Sequence, residues 1–416
     1  MYCLRSLLLF ISLTLCSLTS VATEKITLAK APSNTSLHTV SALTPDTISN
    51  RPPPTEIKRL SNLHSLQDAY NRYITLANEG AWQPIPQGKS LSFTDQHIQV
   101  PLLREKLIKL GDHPPVDCEQ RQDPLFDIDL HEALVHFQTR HGDEADGILG
   151  PKTRRQLNVS PSLRAEQLKV NIARIKRFIP NSDRFIHVNI PEFRLYLYEQ
   201  NNAILSMKTI VGKKKRKTPV FDSQINRIVV NPSWYVPKSI AYRDIIPALK
   251  KDPSYLTKVN LKVVSGWGDR RTVIADNDID YDKLYIGKNY QRFWEAPSEG
   301  NTLGQVKFLT NSTYAIYLHD TSAKRLFSQN KRAFSSGCIR LEQPRKLADE
   351  LMRMTHGWKH EQLDPIFAQT STQTFTLAEP IPLHVTYWTA WADPEGTINF
   401  RDDIYKQDRY ALSTRR

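Results

Sequence analysis

Two side chains late in the sequence have the types and setting of a nucleophile and its base. Cys338 stands in Phe334-Ser335-Ser336-Gly337-Cys338-Ile339-Arg340-Leu341, ahead of a helix expected from Pro344 to Thr355. A thiol beside glycine and near a helix start meets backbone N–H groups, which favour its thiolate and can hold an oxyanion. Upstream, Tyr314 to Thr321 reads as a strand that delivers His319 at its end, as base or imidazolium partner of that thiol. The pair predicts nucleophilic catalysis by a cysteine. Of the four cysteines, Cys3 and Cys16 fall in an N-terminal apolar segment and Cys118 has no motif around it, so Cys338 is the candidate nucleophile.

The elements that must position this pair are mostly strands. Phe185 to Ile190, Arg194 to Tyr198, Ile204 to Val211 and Asn226 to Val230 are short, β-branched and aromatic, with turns between them. Strands resume at Val306 to Leu309 and Tyr314 to Leu318. Between them, residues 240–304 form a charged, aromatic insertion, expected to act as a lid. The catalytic domain is therefore expected over 182–408.

Residues 57–178 read as helical. Leu60, Leu63, Leu66, Ala69, Tyr70, Tyr73, Leu76 and Ala77 recur at helical spacing. Helices are also expected at Pro101 to Lys109, at Leu130 to Arg140, from Pro151 and at Leu168 to Phe178. His131, His136 and His141 invite a metal reading, but five-residue steps turn a helix by about 140°, so the three share no face and no metal is expected.

At the N-terminus, Arg5, the apolar run Leu7 to Leu18 and Ser20-Val21-Ala22 predict a cleaved secretion signal over 1–22. The run is shorter than the ~20 residues that span a bilayer. Residues 23–56, rich in Ser, Thr and Pro, read as a disordered linker. The whole chain has 416 residues, with Lys+Arg 56 against Asp+Glu 43 and a net charge of +13. Such a charge draws polyanions, but a nucleic-acid role has no motif to support it and conflicts with secretion.

The motifs carry a resemblance. His319 with Ser336-Gly337-Cys338-Ile339-Arg340 resembles the signature of the YkuD-like L,D-transpeptidases. Asn231 to Pro237, Leu303 to Phe308, Tyr387 to Trp391 and Phe400 to Tyr405 resemble the larger periplasmic YcbB-like branch. Glu132 to Gln138, His141-Gly142, Asp146-Gly147 and Gly150 to Thr153 resemble a small helical peptidoglycan-binding domain, about 97–158. Ser336 and Asp320 replace the His and Gly of many family members, as in the larger branch. The region before the binding domain is too short for that branch's full helical scaffold.

The resemblance implies an α+β chain, a mostly β catalytic domain with an inserted lid behind a small all-α binding domain. It implies ping-pong acyl transfer in which Cys338 attacks the carbonyl of the third residue of a tetrapeptide stem and releases D-alanine. An amine of a neighbouring stem then resolves the thioester as a 3-3 cross-link. His319 moves the protons, oriented by a backbone carbonyl rather than Asp320, while Tyr317 and the Gly337 and Cys338 amides hold the oxyanion. Ser335, Ser336, Arg340 and Trp234 would contact substrate or hold the loop. Peptidoglycan stem peptides are the expected partners and carbapenems the expected inhibitors, in the periplasm and without a cofactor; wall-synthesis proteins are left open as partners. The binding domain would anchor the enzyme as a unit separate from the strands. A cysteine L,D-carboxypeptidase, a cross-link cleaving amidase and a non-catalytic wall-binding protein are the alternatives.

Overall fold

The computed structural model describes residues 56–408, except 179, 181, 201, 282–283 and 287–289. The expected signal segment 1–22 and nearly all of the linker 23–56 lie outside the described residues. Helices come first: α1 (Glu56–Asn78), α2 (Val100–Leu110), α3 (Cys118–Gln122), α4 (Ile128–Arg140), α5 (Pro151–Leu157) and α6 (Pro161–Arg177). Asp117, Asp127 and Ser160 cap α3, α4 and α6, each accepting an N–H of the first turn. The Ser160-Pro161 cap starts α6 before the expected Leu168, and Pro161 and Ala165 of this added stretch are buried. Val100, Leu103, Leu107, Leu130, Leu134, Phe137 and Leu149 form the core of this domain. The three histidines part company: His136 bonds Asp112 at 2.7 Å, His141 bonds the Phe137 carbonyl at 2.7 Å, and the His131 ring lies against Gly147.

The second domain begins with β1 (Arg184–Asn189), β2 (Arg194–Glu199), β3 (Asn202–Gly212) and β4 (Phe221–Val230). An insertion follows, with β5 (Trp234–Tyr235), α7 (Lys238–Ile240), α8 (Ile246–Lys251), α9 (Tyr255–Lys258), β6 (Leu261–Ser265), β7 (Thr272–Val273) and β8 (Arg292–Glu295). The chain then returns through β9 (Val306–Thr310), β10 (Leu318–His319), β11 (Ala333–Ser335), β12 (Ile339–Leu341), α10 (Pro344–His356), α11 (Asp364–Phe367) and β13 (Gln373–Thr386). A hairpin of β14 (Ala390–Ala392) and β15 (Ile398–Phe400) ends it.

The main sheet runs β11-β3-β12-β10-β9-β4-β13-β1-β2, and β2 also pairs with β3. That last pairing closes the sheet on itself and leaves few exposed edges. Ile186, Val188, Leu195, Ile228, Phe308, Leu318 and Ile339 fill its interior with Leu347 and Leu351 of α10. The insertion has its own sheet, β5-β8-β6-β7, and its own apolar cluster around Val236, Ile245, Val263 and Phe293. It is a folded subdomain whose first strand precedes the expected start at 240.

The helical region is docked on the strand domain rather than standing apart from it. Leu66 and Tyr73 of α1, Leu168 and Ile172 of α6, and Ala390 and Phe400 of the terminal hairpin share one buried cluster. Arg140, bonded by two nitrogens to Asp112 at 2.6 and 2.5 Å, lies beneath that junction. Arg401 donates to the Arg140 carbonyl at 3.1 Å, and Gln167 donates to the carbonyls of Thr389 and Arg401, each at 3.0 Å.

Candidate active site

Neighbouring strands bring three cationic or titratable side chains into one row. His319 of β10 pairs with Lys307 of β9 on one side and Arg340 of β12 on the other. Because side chains alternate along a strand, this row faces away from the core positions Phe308, Leu318, Ile339 and Leu341. The Ile339 N–H donates to the Tyr317 carbonyl at 3.1 Å, which sets Cys338 beside Tyr317.

The strand before His319 is shorter than expected. Only Leu318 and His319 are paired; Tyr314 lies in a turn and Ala315 has a φ of 52°, so Tyr314 to Tyr317 cannot continue the ladder. Tyr317 nevertheless keeps the neighbour it was assigned. Its ring centroid is 5.5 Å from that of His319, and its hydroxyl and backbone both interact with the Cys338 thiol. Trp234, from the root of the insertion, hydrogen-bonds the same tyrosine side chain.

Cys338 sits on the bend between β11 and β12, not at a helix start; α10 begins only at Pro344. The bend is held from inside. Ser335, 2% exposed, accepts the Gly337 N–H at 3.1 Å and donates to the Cys338 carbonyl at 2.6 Å. Gly337 has a φ of 127°, and its carbonyl accepts from Thr218 Oγ1 at 2.7 Å. Of its two expected roles Ser335 takes that of holding the loop, and one expectation changes: the Gly337 amide is already engaged, which leaves the Cys338 amide to face an oxyanion. Ser336 is exposed and accepts from Arg216 at 2.8 Å.

The electrostatics favour neutral groups. Burial pushes the Cys338 thiol above its ordinary 9.0, although Tyr317, Lys307 and Arg340 pull the other way. Burial, then Arg340 and Lys307, lower His319 to about 3, against the opposing pull of the Asp320 backbone. Of the two roles open to His319, base or imidazolium partner, these shifts favour the base, a neutral imidazole, with the thiol protonated at rest. No hydrogen bond joins the two, and His319 Nδ1 is buried without a partner. Asp320 is turned to other work, accepting the N–H groups of Gln305 and Thr321 at 2.9 and 2.7 Å and pairing with Lys324.

Lys307 escaped the sequence reading. Its Nζ lies 3.9 Å from the Tyr317 ring centroid, and burial lowers its pKa while Cys338 raises it. The alternation Val306-Lys307-Phe308 was the available signal, since it places a lysine on the face opposite the core. Arg340 Nε is buried with no acceptor, an unpaired donor beside the thiol. Cys118, exposed at the start of α3, and Cys338 are not joined in a disulfide. Among the described residues no group of three metal-binding side chains occurs.

Residues 183–365 match the family model "L,D-transpeptidase catalytic domain" and residues 96–157 match "Putative peptidoglycan binding domain". A "Putative L,D-transpeptidase" of Haemophilus influenzae is 34% identical over 244 residues, 59% of this chain and 48% of that protein. The match thus spans about half the length of that relative. Solved L,D-transpeptidases include one from Stackebrandtia nassauensis, 12% identical with 71% of this chain and 97% of that one covered, at a TM-score of 0.26. Another, from Xylanimonas cellulosilytica, is 11% identical over 73% and 100% of the two chains, at a TM-score of 0.22. Those two superpositions are too loose to carry any correspondence between residues. Over these two stretches the chain is similar to a peptidoglycan-binding domain followed by the catalytic domain of the YkuD L,D-transpeptidase family.

Proposed function

We propose that this protein is a cysteine acyltransferase of peptidoglycan that forms 3-3 cross-links, with Cys338 as nucleophile. The observation that carries the reading is a thiol held at a braced turn and met by Tyr317, Lys307 and Arg340, with His319 in the same row between the two cations and beside the Tyr317 ring. As Cys338 sulfur attacks the carbonyl of the third stem residue, its proton passes to the neutral His319. Substrate contact closes the apo gap between the two groups. The Cys338 amide, the Tyr317 hydroxyl and the cations Lys307 and Arg340 meet the developing oxyanion. His319 then gives its proton to the leaving D-alanine amine as the C–N bond breaks. In the second half the acceptor amine loses a proton to His319, attacks the thioester and restores the thiol. A low imidazole pKa suits a base that must be neutral at the outset, and the buried thiol is activated only during attack. Trp234 shapes the cleft through Tyr317. The substrate class also implies the periplasm as the site of action, after removal of the N-terminal segment.

The test is muropeptide mass spectrometry after the purified protein acts on tetrapeptide-rich sacculi. The expected result is 3-3 dimers and free D-alanine, both lost in Cys338→Ala. Tripeptides without dimers would replace transpeptidation by hydrolysis at the same site, and no change in the sacculi would reject the reading.

A further inference from the structure

A cavity of about 300 Å³ opens beside the nucleophile turn, with Ser336 and Gly337 at one end. The loop between β3 and β4 brings Lys215, Arg216 and Lys217 to it, and the insertion brings Arg243. No acidic residue lines it. Arg216 donates to both carboxylate oxygens of Asp244 at 2.6 and 2.7 Å, so that charge is neutralised within the fold. The same guanidinium donates to Ser336, which ties the loop, the insertion and the nucleophile turn together. Lys217 sends Nζ to the Tyr405 carbonyl at 3.1 Å, and Arg243 uses only Nε, on the Ser239 carbonyl at 2.7 Å. Lys215 makes neither a hydrogen bond nor an ion pair among the described residues.

Cations are thus gathered in one cavity, and the Asp244 carboxylate is committed to Arg216. Like charges repel until an anion enters, so the site favours an anionic guest and turns away a neutral one. Tyr314 and Ile316 supply an apolar wall, and the volume leaves room for about one amino-acid residue with its carboxylate. We propose that this cavity is an anion subsite that takes the carboxylate of the residue leaving from the carbonyl attacked by Cys338, with Lys215 and Arg243 as the recognising cations. The anion chemistry stands on the cavity itself; the assignment to the leaving residue rests on the acyl-transfer reading.

The experiment uses full-length protein in a Cys118→Ser background. Iodoacetate and iodoacetamide differ in little but charge, and with each the Cys338 thiolate displaces iodide to give a thioether. The rate ratio of the charged to the neutral reagent is measured at low and high salt. In Lys215→Gln/Arg243→Gln that ratio should fall about tenfold at low salt, and the difference should shrink as salt rises. A second arm compares tetrapeptide stems ending in a free carboxylate or a carboxamide; the protein should prefer the acid through KM, and the double variant should lose that preference. An unchanged alkylation ratio overturns the subsite, as does an acid preference that survives both substitutions. Failure of the unmodified protein to turn over either peptide strikes the acyl-transfer reading instead, while the alkylation ratio still decides the cavity.

Discussion

Lys307 holds its ammonium 3.9 Å from the centroid of the Tyr317 ring, and Tyr317 in turn meets the Cys338 thiol. The lysine outranks Arg340 as a compensating charge for a thiolate that burial disfavours. Removing it in Lys307→Met should raise the apparent thiol pKa by about one unit and slow acylation about tenfold at pH 7. Stability should change little, because a desolvated ammonium is being replaced by an apolar chain of similar length. Lys307→Arg should restore part of the rate. Alkylation of Cys338 followed against pH separates this role from packing, since a merely structural lysine would leave the thiol pKa in place.

The charge states predict the shape of the pH profile. With the thiol above 9.0 and His319 near 3, no ion pair exists at neutral pH. Alkylation of Cys338 by iodoacetamide should climb steadily between pH 5 and 9, about tenfold for each unit, as the thiolate fraction rises. A flat plateau across pH 5 to 8 would reveal a preformed thiolate–imidazolium pair and overturn the neutral resting state.

Acid should also weaken the fold through a histidine remote from the site. His187 donates to or accepts from Thr386 at 2.7 Å, and burial followed by the His384 charge lowers it to about 3. The folded chain keeps this ring neutral, whereas the unfolded chain protonates it below the ordinary 6.5. Stability is therefore lost as pH falls from 6.5 toward 3, by about 2 kcal/mol between pH 6.5 and 5 for this residue. Urea unfolding of His187→Gln at the two pH values should show a correspondingly shallower loss than the unmodified protein.

Asp112 and Arg140 give the test of how the two domains depend on one another. The aspartate side chain is fully buried and the arginine side chain 6% exposed. Asp112→Ala leaves a buried guanidinium uncompensated and should cost about 3 to 5 kcal/mol, whereas Asp112→Ala/Arg140→Met should recover most of it. A chain beginning at Ser182 would strip α1 and α6 from Ala390 and Phe400 and should melt at a lower temperature than the full-length protein. Two well-separated unfolding transitions in the full-length protein would show that the junction is weak.

How far these features could be read in advance depended on where the information lay. The barrel strands were visible because Phe185 to Ile190 and Asn226 to Val230 carry local β-branched runs, and the family motif marked His319 and Cys338. The strand before His319 was overdrawn because Tyr314-Ala315-Ile316-Tyr317 has β composition, yet Ala315 takes a left-handed φ that no propensity announces. Lys307 and Arg216 were missed since their roles arise from pairings across the sheet and with the insertion, at long sequence separation. The docking of the helical domain was hidden for the same reason: Leu66, Leu168 and Phe400 each look like ordinary core residues of their own segments. Burial misled the chemistry as well, because Gly337-Cys338 suggested free amides while Ser335 had already taken one.

That brace yields the last prediction. Gly337 adopts a φ of 127°, a conformation L side chains rarely accept, although an added Cβ would find only Ile316 Cδ1 at 3.4 Å and the Lys217 carbonyl at 3.8 Å. Space is therefore not the obstacle; backbone conformation is. Gly337→Ala should cost about 1 to 3 kcal/mol of strain, or relieve it by rotating the turn. Rotation would break the bonds from Gly337 N to Ser335 and from Thr218 to the Gly337 carbonyl, and would swing the Cys338 amide away from the oxyanion it serves. Ser335→Ala removes the inner brace without touching φ, so the two variants separate strain from bracing. Both should slow carbapenem acylation, measured by intact mass, with Gly337→Ala the more severe at about a hundredfold, in line with loss of an oxyanion donor. Thermal unfolding should fall only modestly in each, because the barrel core beneath is untouched. If Gly337→Ala acylated at the original rate, the turn geometry would have no part in stabilising the oxyanion, and the Cys338 amide would have to be withdrawn from the mechanism.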